Sequence, residues 1–537
     1  MEKKANVLEK IIFEIFKAKP KSSADLDVLK KKLAKKFKIS TPSNVDLLKA
    51  YHNLRKNKRL KTDEFLETLF IKKPIRSLSG IVNISVLTKP YPCPGNCIFC
   101  PTEKNLPKSY VSGEPAVQRA VALKFDPFLQ VKKRIEMLEN QGHPTDKIEL
   151  RIIGGSFTFY PKRYQTWFLK KCFDAANGKN SKNLKEAQKR NEKSKHRIVG
   201  ISIETRPDLI TEKEIKNLRE LGITMVEIGV QTVFDDILKK SKTGLNVEKI
   251  EKVTRLLKDA GFKVMYQMMP NLPGATPKKD KLAFKEIFSN PKFKPDWLKI
   301  YSCLVLKESK LYRWWKEGKY KSYSNKDLFS IIKYIKSICP PWIRIARIYR
   351  DIPKEKIVSG CKISNLREKI KEKMEKENLF CKCIRCREVR GDYNPNEKIY
   401  LFRQDYESSG GKEIFLSYET KNQEKLYSFL RIRIPSQVFS KEKHFIPVLQ
   451  NSAIIRELHT YGKLLSLEKK EKRKSPQHQG LGKKLIREAE KIISTEFAKK
   501  LNIKKIAVIS GVGVREYYRK LGYRLKDTYM IKSLEAE

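Results

Sequence analysis

An α/β chain is predicted here: a partial or full β/α barrel followed by a smaller α+β domain and preceded by a basic helical region. Three observations carry it. Between about residues 80 and 350, short apolar runs alternate with charged amphipathic stretches, which is the pattern of parallel strands linked by helices. Three cysteines crowd one loop near the start of that region. Beyond about residue 392 the pattern becomes that of antiparallel strands, and a glycine-rich turn then leads into a long amphipathic helix.

Residues 1–75 read as short basic helices. Leu8, Ile11, Ile12, Ile15 and Phe16 recur at helical spacing, and the run KKKLAKKFKIS follows. From the residues alone this region is either an appendage facing a polyanion or a solvated helical cap on the next domain. Residues 76–355 hold the expected barrel, with strands in GIVNISVLT, KIELRIIGG, RIVGISIET, MVEIGVQT, FKVMYQMMP and WLKIYSCLV. In such barrels the C-terminal ends of the strands carry the chemistry. The polar stretch from 177 to 196 is expected to be a surface insertion or a mobile loop. Residues 356–391 read as a linker fastened by zinc. Cys381, Cys383 and Cys386 form a tight group, and Cys361, some twenty residues upstream, is the expected fourth thiolate of a closed tetrahedral site. Residues 392–537 hold the second domain, with strands in KIYLFRQDYE, EIFLSYET and YSFLRIRIP and a hairpin signal at Ser409-Gly410-Gly411.

Composition narrows the partners. Lys+Arg 116 against Asp+Glu 61 gives a formal net charge of +55, far beyond what solubility needs, so a nucleic acid is the expected partner. No apolar stretch approaches the roughly 18 residues of a membrane span, and the N-terminus mixes charge into its apolar positions as an amphipathic helix does. Ten cysteines, seven of them in two groups, indicate metal ligation in a reducing cytoplasm rather than a disulfide framework.

Cys93, Cys97 and Cys100 lie in the spacing Cys-x3-Cys-x2-Cys. Three thiolates can hold a 4Fe-4S cluster by three corners, leaving one iron to chelate S-adenosylmethionine. A zinc knuckle would need a fourth ligand nearby, and no His follows until His143 and no further Cys until Cys172. The spacing, with Phe99 before the last cysteine, resembles the radical S-adenosylmethionine superfamily. In the second domain Gln477-His478-Gln479-Gly480-Leu481-Gly482 immediately precedes a helix, where close backbone approach and exposed N–H groups suit a diphosphate. This context resembles the GNAT acetyltransferases. Tyr517 and Tyr518 fall where those enzymes place a tyrosine near the thioester sulfur, although one of two adjacent tyrosines can equally pack in a core.

The two motifs together resemble the Elongator catalytic-subunit family. The matching runs include TKPYPCPGNCIFCP, YVSGEPAVQRAVALKFDPF, GISIETRPD, VEIGVQT, MMPNLPG, PPWIRIARIYRDIP, IRELHTYG, QHQGLG and SGVGVREYYRKLGY. One departure is Lys242-Thr243-Gly244-Leu245, where relatives commonly carry Arg-Gly-His. The resemblance implies a tRNA-modifying radical acetyltransferase: a 5'-deoxyadenosyl radical takes a hydrogen from the acetyl methyl of acetyl-CoA, the carbon radical adds to C5 of the wobble uridine, and thioester hydrolysis leaves 5-carboxymethyluridine.

It further implies that Gly154, Gly155 and Ser156 contact S-adenosylmethionine, and that Glu204, Arg206 and Gln231 face that cofactor or the uridine. Lys147, Glu457, Leu458, His459, Thr460, Gln479, Gly480, Leu481, Gly482, Lys483 and Tyr518 are implied to hold acetyl-CoA. The implied partners are a tRNA anticodon stem-loop, an electron-donor protein, and either a second copy of the chain or Elongator-type subunits. Phosphate contacts are expected from the N-terminal region, the 177–196 stretch and LREKIKEKMEKEN. Two other readings compete: a protein lysine acetyltransferase with a structural iron-sulfur domain, and a basic RNA-binding scaffold without activity.

Overall fold

Seven strands, β1 (Val82–Leu87), β2 (Lys147–Ile153), β3 (Arg197–Thr205), β4 (Met225–Gln231), β5 (Lys263–Met268), β6 (Trp297–Ile300) and β7 (Arg344–Arg347), pair in parallel and in chain order. The computed structural model describes residues 2–71, 74–464, 475–477 and 479–534, so His478 of the glycine-rich motif lies outside the described residues. Among the described residues β1 and β7 do not pair with each other, and the barrel is therefore partial. Side chains from β1 through β7 nevertheless line a single cavity, so the sheet curls around a lumen.

The period-two alternation of the strands decides what that lumen is made of. In β2, Ile148, Leu150 and Ile152 join the core under the surrounding helices, while Arg151 and Ile153 line the lumen. In β4, Val226, Ile228 and Val230 take the outer positions and Gln231 an inner one. In β6, Leu298 and Ile300 face outward and Trp297, Lys299 and Tyr301 inward. The inner face is thus polar and charged, unlike the Val/Ile/Leu layers that fill a closed barrel. The connecting helices start on side-chain caps: Thr211, Asn246, Thr276 and Ser324 accept from the backbone N–H groups of Glu214, Lys249, Lys279 and Asp327.

The second sheet contains β8 (Tyr400–Ser408), β9 (Gly411–Glu419), β10 (Leu426–Ile434), β11 (Ser452–Thr460), β12 (Lys505–Val508), β13 (Arg524–Lys526) and β14 (Tyr529–Ser533). Its order is β8-β9-β10-β11-β12-β14-β13, antiparallel except for the β11–β12 pair. Ser409 and Gly410 both have positive φ (47° and 73°), as the two-residue loop joining β8 to β9 requires. The helix Leu481–Ile492 lays Leu485, Ile486, Ala489 and Ile492 against Leu416, Leu430 and Ile432 of the sheet. This is the expected GNAT-type α+β domain.

Buried ion pairs join the two sheets. The register slips where Arg431 faces Glu457 and Ile432 faces Ile455, which leaves Arg456 as a bulged residue. Arg456 donates to both oxygens of Asp296, which precedes β6, at 2.5 and 2.8 Å, and to Glu413 of β9 at 2.8 Å. Arg433 contacts Asp259 at 2.7 Å, and Lys258 lies 3.8 Å from both Asp296 and Glu413. The residues of this network are almost fully buried.

Helices α1 (Glu2–Ala18), α2 (Ser23–Lys36), α3 (Asn44–Lys56) and α4 (Glu64–Phe70) form the N-terminal region. It has a core of its own, built from Ile11, Ile12, Ile15, Leu47, Leu48, Tyr51 and Leu54. The stretch from 177 to 196 departs from the mobile-loop expectation. It contains the helix Leu184–Asn191, capped by Asn183, with Asn191 fully buried. Glu192 pairs with Arg515 at 3.0 Å and Arg519 at 2.6 Å in the second domain, so these polar residues are structural contacts. In the linker, Ile357–Ser359 pairs with Val305–Leu306, and Leu366, Ile370 and Met374 join the barrel's core.

Candidate active site

The loop after β1 presents the three clustered cysteines at the C-terminal mouth of the barrel, as expected. Cys100 N–H donates to the Cys97 carbonyl at 3.2 Å, making a tight turn, and Gly95 N–H lies 3.4 Å from Cys93 Sγ. Arg206, just past β3, clamps this loop. Its guanidinium pairs with Asp208 at 2.9 Å, donates to the Thr243 carbonyl at 2.9 Å and reaches Cys97 Sγ at 3.8 Å. A Cβ on Gly95 would stand 2.2 Å from that guanidinium, so any larger residue there would displace the Arg206 clamp. The departing segment Lys242–Leu245 therefore reaches the cluster loop through the Thr243 backbone rather than through a side chain.

Burial pushes the Cys100 thiol up to about 12 and raises Cys97 as well, despite the Arg206 charge beside Cys97. Thiols so placed ionise only with a cationic partner bound. The sulfurs of Cys93, Cys97 and Cys100 do not gather within 4.8 Å of one another, whereas those of Cys381, Cys383 and Cys386 do. Tetrahedral Zn–S bonds of about 2.3 Å need the tighter spacing. The second trio is thus spaced for a single ion. Cys361 is outside the second group, contrary to expectation. It lies just after Ile357–Ser359 and is buried in the same core cluster as Cys383, but its sulfur is not within 4.8 Å of all three others.

Gly154 and Gly155 follow β2 with φ of 129° and 94°, and a Cβ on Gly154 would meet Thr88 Oγ1 at 2.0 Å. Ser156 is buried, with Oγ 3.6 Å from Cys93 Sγ, which places this segment beside the cluster loop.

Below the loop the lumen encloses about 760 Å³. Glu204 stands in it, accepting from Tyr110 Oη at 2.7 Å, Lys299 Nζ at 3.3 Å and Gln267 Nε2 at 3.4 Å. Lys299 also pairs with Glu227. Gln231 lines the same cavity from a positive-φ position (70°) at the end of β4. Tyr110, Gln267 and Lys299 were not singled out by the sequence reading. Strand parity would have found the last two, since each lies an even number of residues from an inward-facing neighbour.

A second cavity, of about 690 Å³, lies at the N-terminal end of the same strands, where the second domain packs. Its walls combine Lys147 and Lys263, the first residues of β2 and β5, with Glu457–Thr460, Gly480–Lys483 and Tyr517. The opening arises because β11 and β12 pair only as far as Ile455 and Val508, after which β11 runs on to Thr460. At its rim Gly480 (φ 80°) starts the helix Leu481–Ile492 without a side-chain cap, leaving the first backbone N–H groups exposed to an anion. Gln479 contacts the Tyr393 hydroxyl, Leu481 is buried and Lys483 exposed.

Lys147 Nζ donates to Gln477 Oε1 at 3.0 Å, and burial lowers its pKa to about 8. The Tyr517 hydroxyl hangs over Gly482, where a Cβ would lie 2.9 Å away, and burial raises it to about 12. Tyr518 joins the hydrophobic core of the second sheet while also bordering the cavity. Trp297, only 5% exposed, borders both cavities. Its ring is flanked by Arg344 at 5.1 Å and by Arg151 and Lys263 at 5.8 Å.

A half-barrel with three clustered cysteines at its mouth, joined to a mixed-sheet domain at its other end, is the architecture of a radical SAM-type protein with an added α+β domain. Residues 91–284 match the model of the radical SAM superfamily, and residues 295–376 that of its C-terminal domain. The tRNA uridine(34) acetyltransferase of Methanocaldococcus infernus is 45% identical over 98% of each chain. Human Elongator complex protein 3 is 39% identical over 95% of this chain and 93% of its own. A solved structure of M. infernus Elp3 with its N-terminus deleted superposes with a TM-score of 0.73 at 45% identity, covering 85% of this chain and all of that one. This chain belongs to the family of the tRNA uridine(34) acetyltransferases and Elongator complex protein 3.

Proposed function

We propose that the chain modifies C5 of the wobble uridine of tRNA, consuming S-adenosylmethionine and acetyl-CoA and leaving 5-carboxymethyluridine. The observation that carries this reading is the pair of cavities at opposite ends of one barrel, separated by Trp297. Each is furnished for a different reagent, and the names of the family's curated members agree.

Cys93, Cys97 and Cys100 would hold a 4Fe-4S cluster, and Gly154–Ser156 would lie against S-adenosylmethionine. When bound, that pair supplies the primary carbon radical needed to take a hydrogen from an acetyl methyl, a C–H bond beyond acid–base chemistry. The chain itself positions the reactants. Glu204 offers an acceptor, and Gln267 and Lys299 offer donors, to the polar edge of a pyrimidine in the lumen. At the other end, the exposed amides around Gly480–Gly482 take the diphosphate and the gap beyond Ile455 takes the acyl arm. Tyr517, protonated at neutral pH, stands ready to donate to sulfur.

Cys381, Cys383 and Cys386 would bind zinc. The anticodon stem-loop meets a surface of high positive charge, and an external reductant supplies the electron.

The test is anaerobic incubation of the reconstituted full chain with dithionite, S-adenosylmethionine, acetyl-CoA and a tRNA transcript, with metal analysis of the same preparation. The expected products are 5'-deoxyadenosine and carboxymethylated uridine, both lost in Cys97→Ala, with one zinc alongside the iron. Acetyl-lysine formed equally well by Cys97→Ala, with unaltered uridine, would move the assignment to a protein acetyltransferase.

A further inference from the structure

Hydrolysis of a thioester needs a base to activate water, and the acyl-side cavity contains few groups free to act. Glu457 is committed: Arg431 donates to it at 2.8 Å and Lys263 lies 3.8 Å away. Burial alone would raise its carboxyl, but those two cations hold it below the usual range. Glu149 pairs with Arg151 at 3.4 Å and is likewise held low against its burial. Lys147 is a donor already engaged with Gln477.

His459 differs from all of these. Its Nε2 lies 2.7 Å from the Ser79 carbonyl, and a carbonyl can only accept, so Nε2 carries the proton and Nδ1 the lone pair. Nδ1 has no hydrogen-bond partner among the described residues. The ring packs in one aromatic cluster with Tyr461 (centroids 4.3 Å apart) and Phe429 (6.2 Å, nearly parallel), which are themselves 6.0 Å apart, and it borders the cavity beside Leu458 and Thr460.

We propose that His459, through Nδ1, is the general base for thioester hydrolysis in this cavity, an inference that rests on the wobble-uridine reading above. The water oxygen attacks the carbonyl carbon while its proton passes to Nδ1. The C–S bond then breaks with its electron pair on sulfur, and the imidazolium returns the proton to the departing thiolate. The products are a carboxylate, after loss of its own proton to solvent, and coenzyme A thiol.

The electrostatics agree with this role. Burial lowers the imidazole's pKa, opposed by the Ser79 carbonyl and Glu457 and reinforced by Arg344 and Lys263. The carboxylate of Glu149 is the other charged group that feels it. The ring is therefore neutral at pH 7 and ready to accept a proton.

The experiment uses the full chain with acetyl-CoA and tRNA and follows thiol release with a chromogenic disulfide across pH 5 to 9. Wild type should show release rising through an ionisation below the ordinary histidine value, any further change near pH 8 belonging to Lys147 and being shared by His459→Gln. His459→Gln, which keeps a donor for Ser79, should lose about 100-fold in rate and lose that ionisation, and the loss should persist at saturating acetyl-CoA. His459→Ala should be partly restored by added imidazole. In the complete anaerobic reaction, His459→Gln should accumulate uridine still esterified to coenzyme A.

Carboxymethyluridine made by His459→Gln at the wild-type rate, an unchanged pH profile, or no thiol release by wild type would each overturn the proposal. Histidine-dependent thiol release with unmodified uridine would instead sink the wobble-uridine reading and leave His459 as the base.

Discussion

Lys147 shows how far placement can alter an ordinary side chain. Its ammonium is buried at the first position of β2, and its pKa falls to about 8. A lysine depressed in this way costs stability wherever it is charged, so the penalty is present below about pH 8 and disappears as pH rises toward the ordinary lysine value of about 10.5. Lys147→Met should therefore melt several degrees higher than wild type at pH 7, with the difference vanishing above pH 10, while its affinity for acetyl-CoA falls; calorimetry and a binding isotherm check both. The sequence reading reached Lys147 only through family resemblance, because nothing in KIELRIIGG separates one lysine from the many on the surface. The cysteine spacings were legible directly. Cys361 was not: a sequence distance of twenty residues says nothing about whether a thiol comes within reach of the ion that the other three would share.

At the level of elements, the strands were the most legible part. Six barrel strands and the first hairpin of the second sheet were visible as apolar runs, whereas β7, only four residues long within PPWIRIARIYRDIP, left too short a pattern. Of the two readings of the stretch from 177 to 196 the surface insertion holds for its lysines, which are exposed, while Glu192 meets two arginines from a domain more than three hundred residues away. Charge pairing across such distances leaves no periodicity to detect. The bulge in β11 is similarly silent in sequence, yet it aims Arg456 at Asp296 and Glu413. Arg456→Met should destabilise the protein by about 3–5 kcal/mol at pH 7, because two carboxylates lose their buried partner. The Asp296 carboxyl, which burial would raise, is instead held well below the usual range by Arg456 and Lys258. Its stabilising contribution is thus present above about pH 4 and lost as pH falls further, and the gap between wild type and variant in urea melts should shrink on acidification.

For the molecule as a whole, the net charge of +55 was the plainest statement in the sequence. It implies that tRNA affinity should weaken by about 10³-fold between 50 and 200 mM salt if six or more phosphates are contacted, and a filter-binding series measures the slope. A salt-independent affinity would remove the electrostatic argument. What composition did not disclose is that the second domain sits under the barrel, at the N-terminal ends of the strands, rather than beside its mouth. This placement gives the chamber two doors with Trp297 in the wall between them. Reactants that enter by separate doors do not queue: neither must leave before the other arrives, and on the proposed function the spent carrier would depart while a bulky polynucleotide still covered the opposite entrance. The kinetic order of such an enzyme is therefore set by the traffic at each doorway.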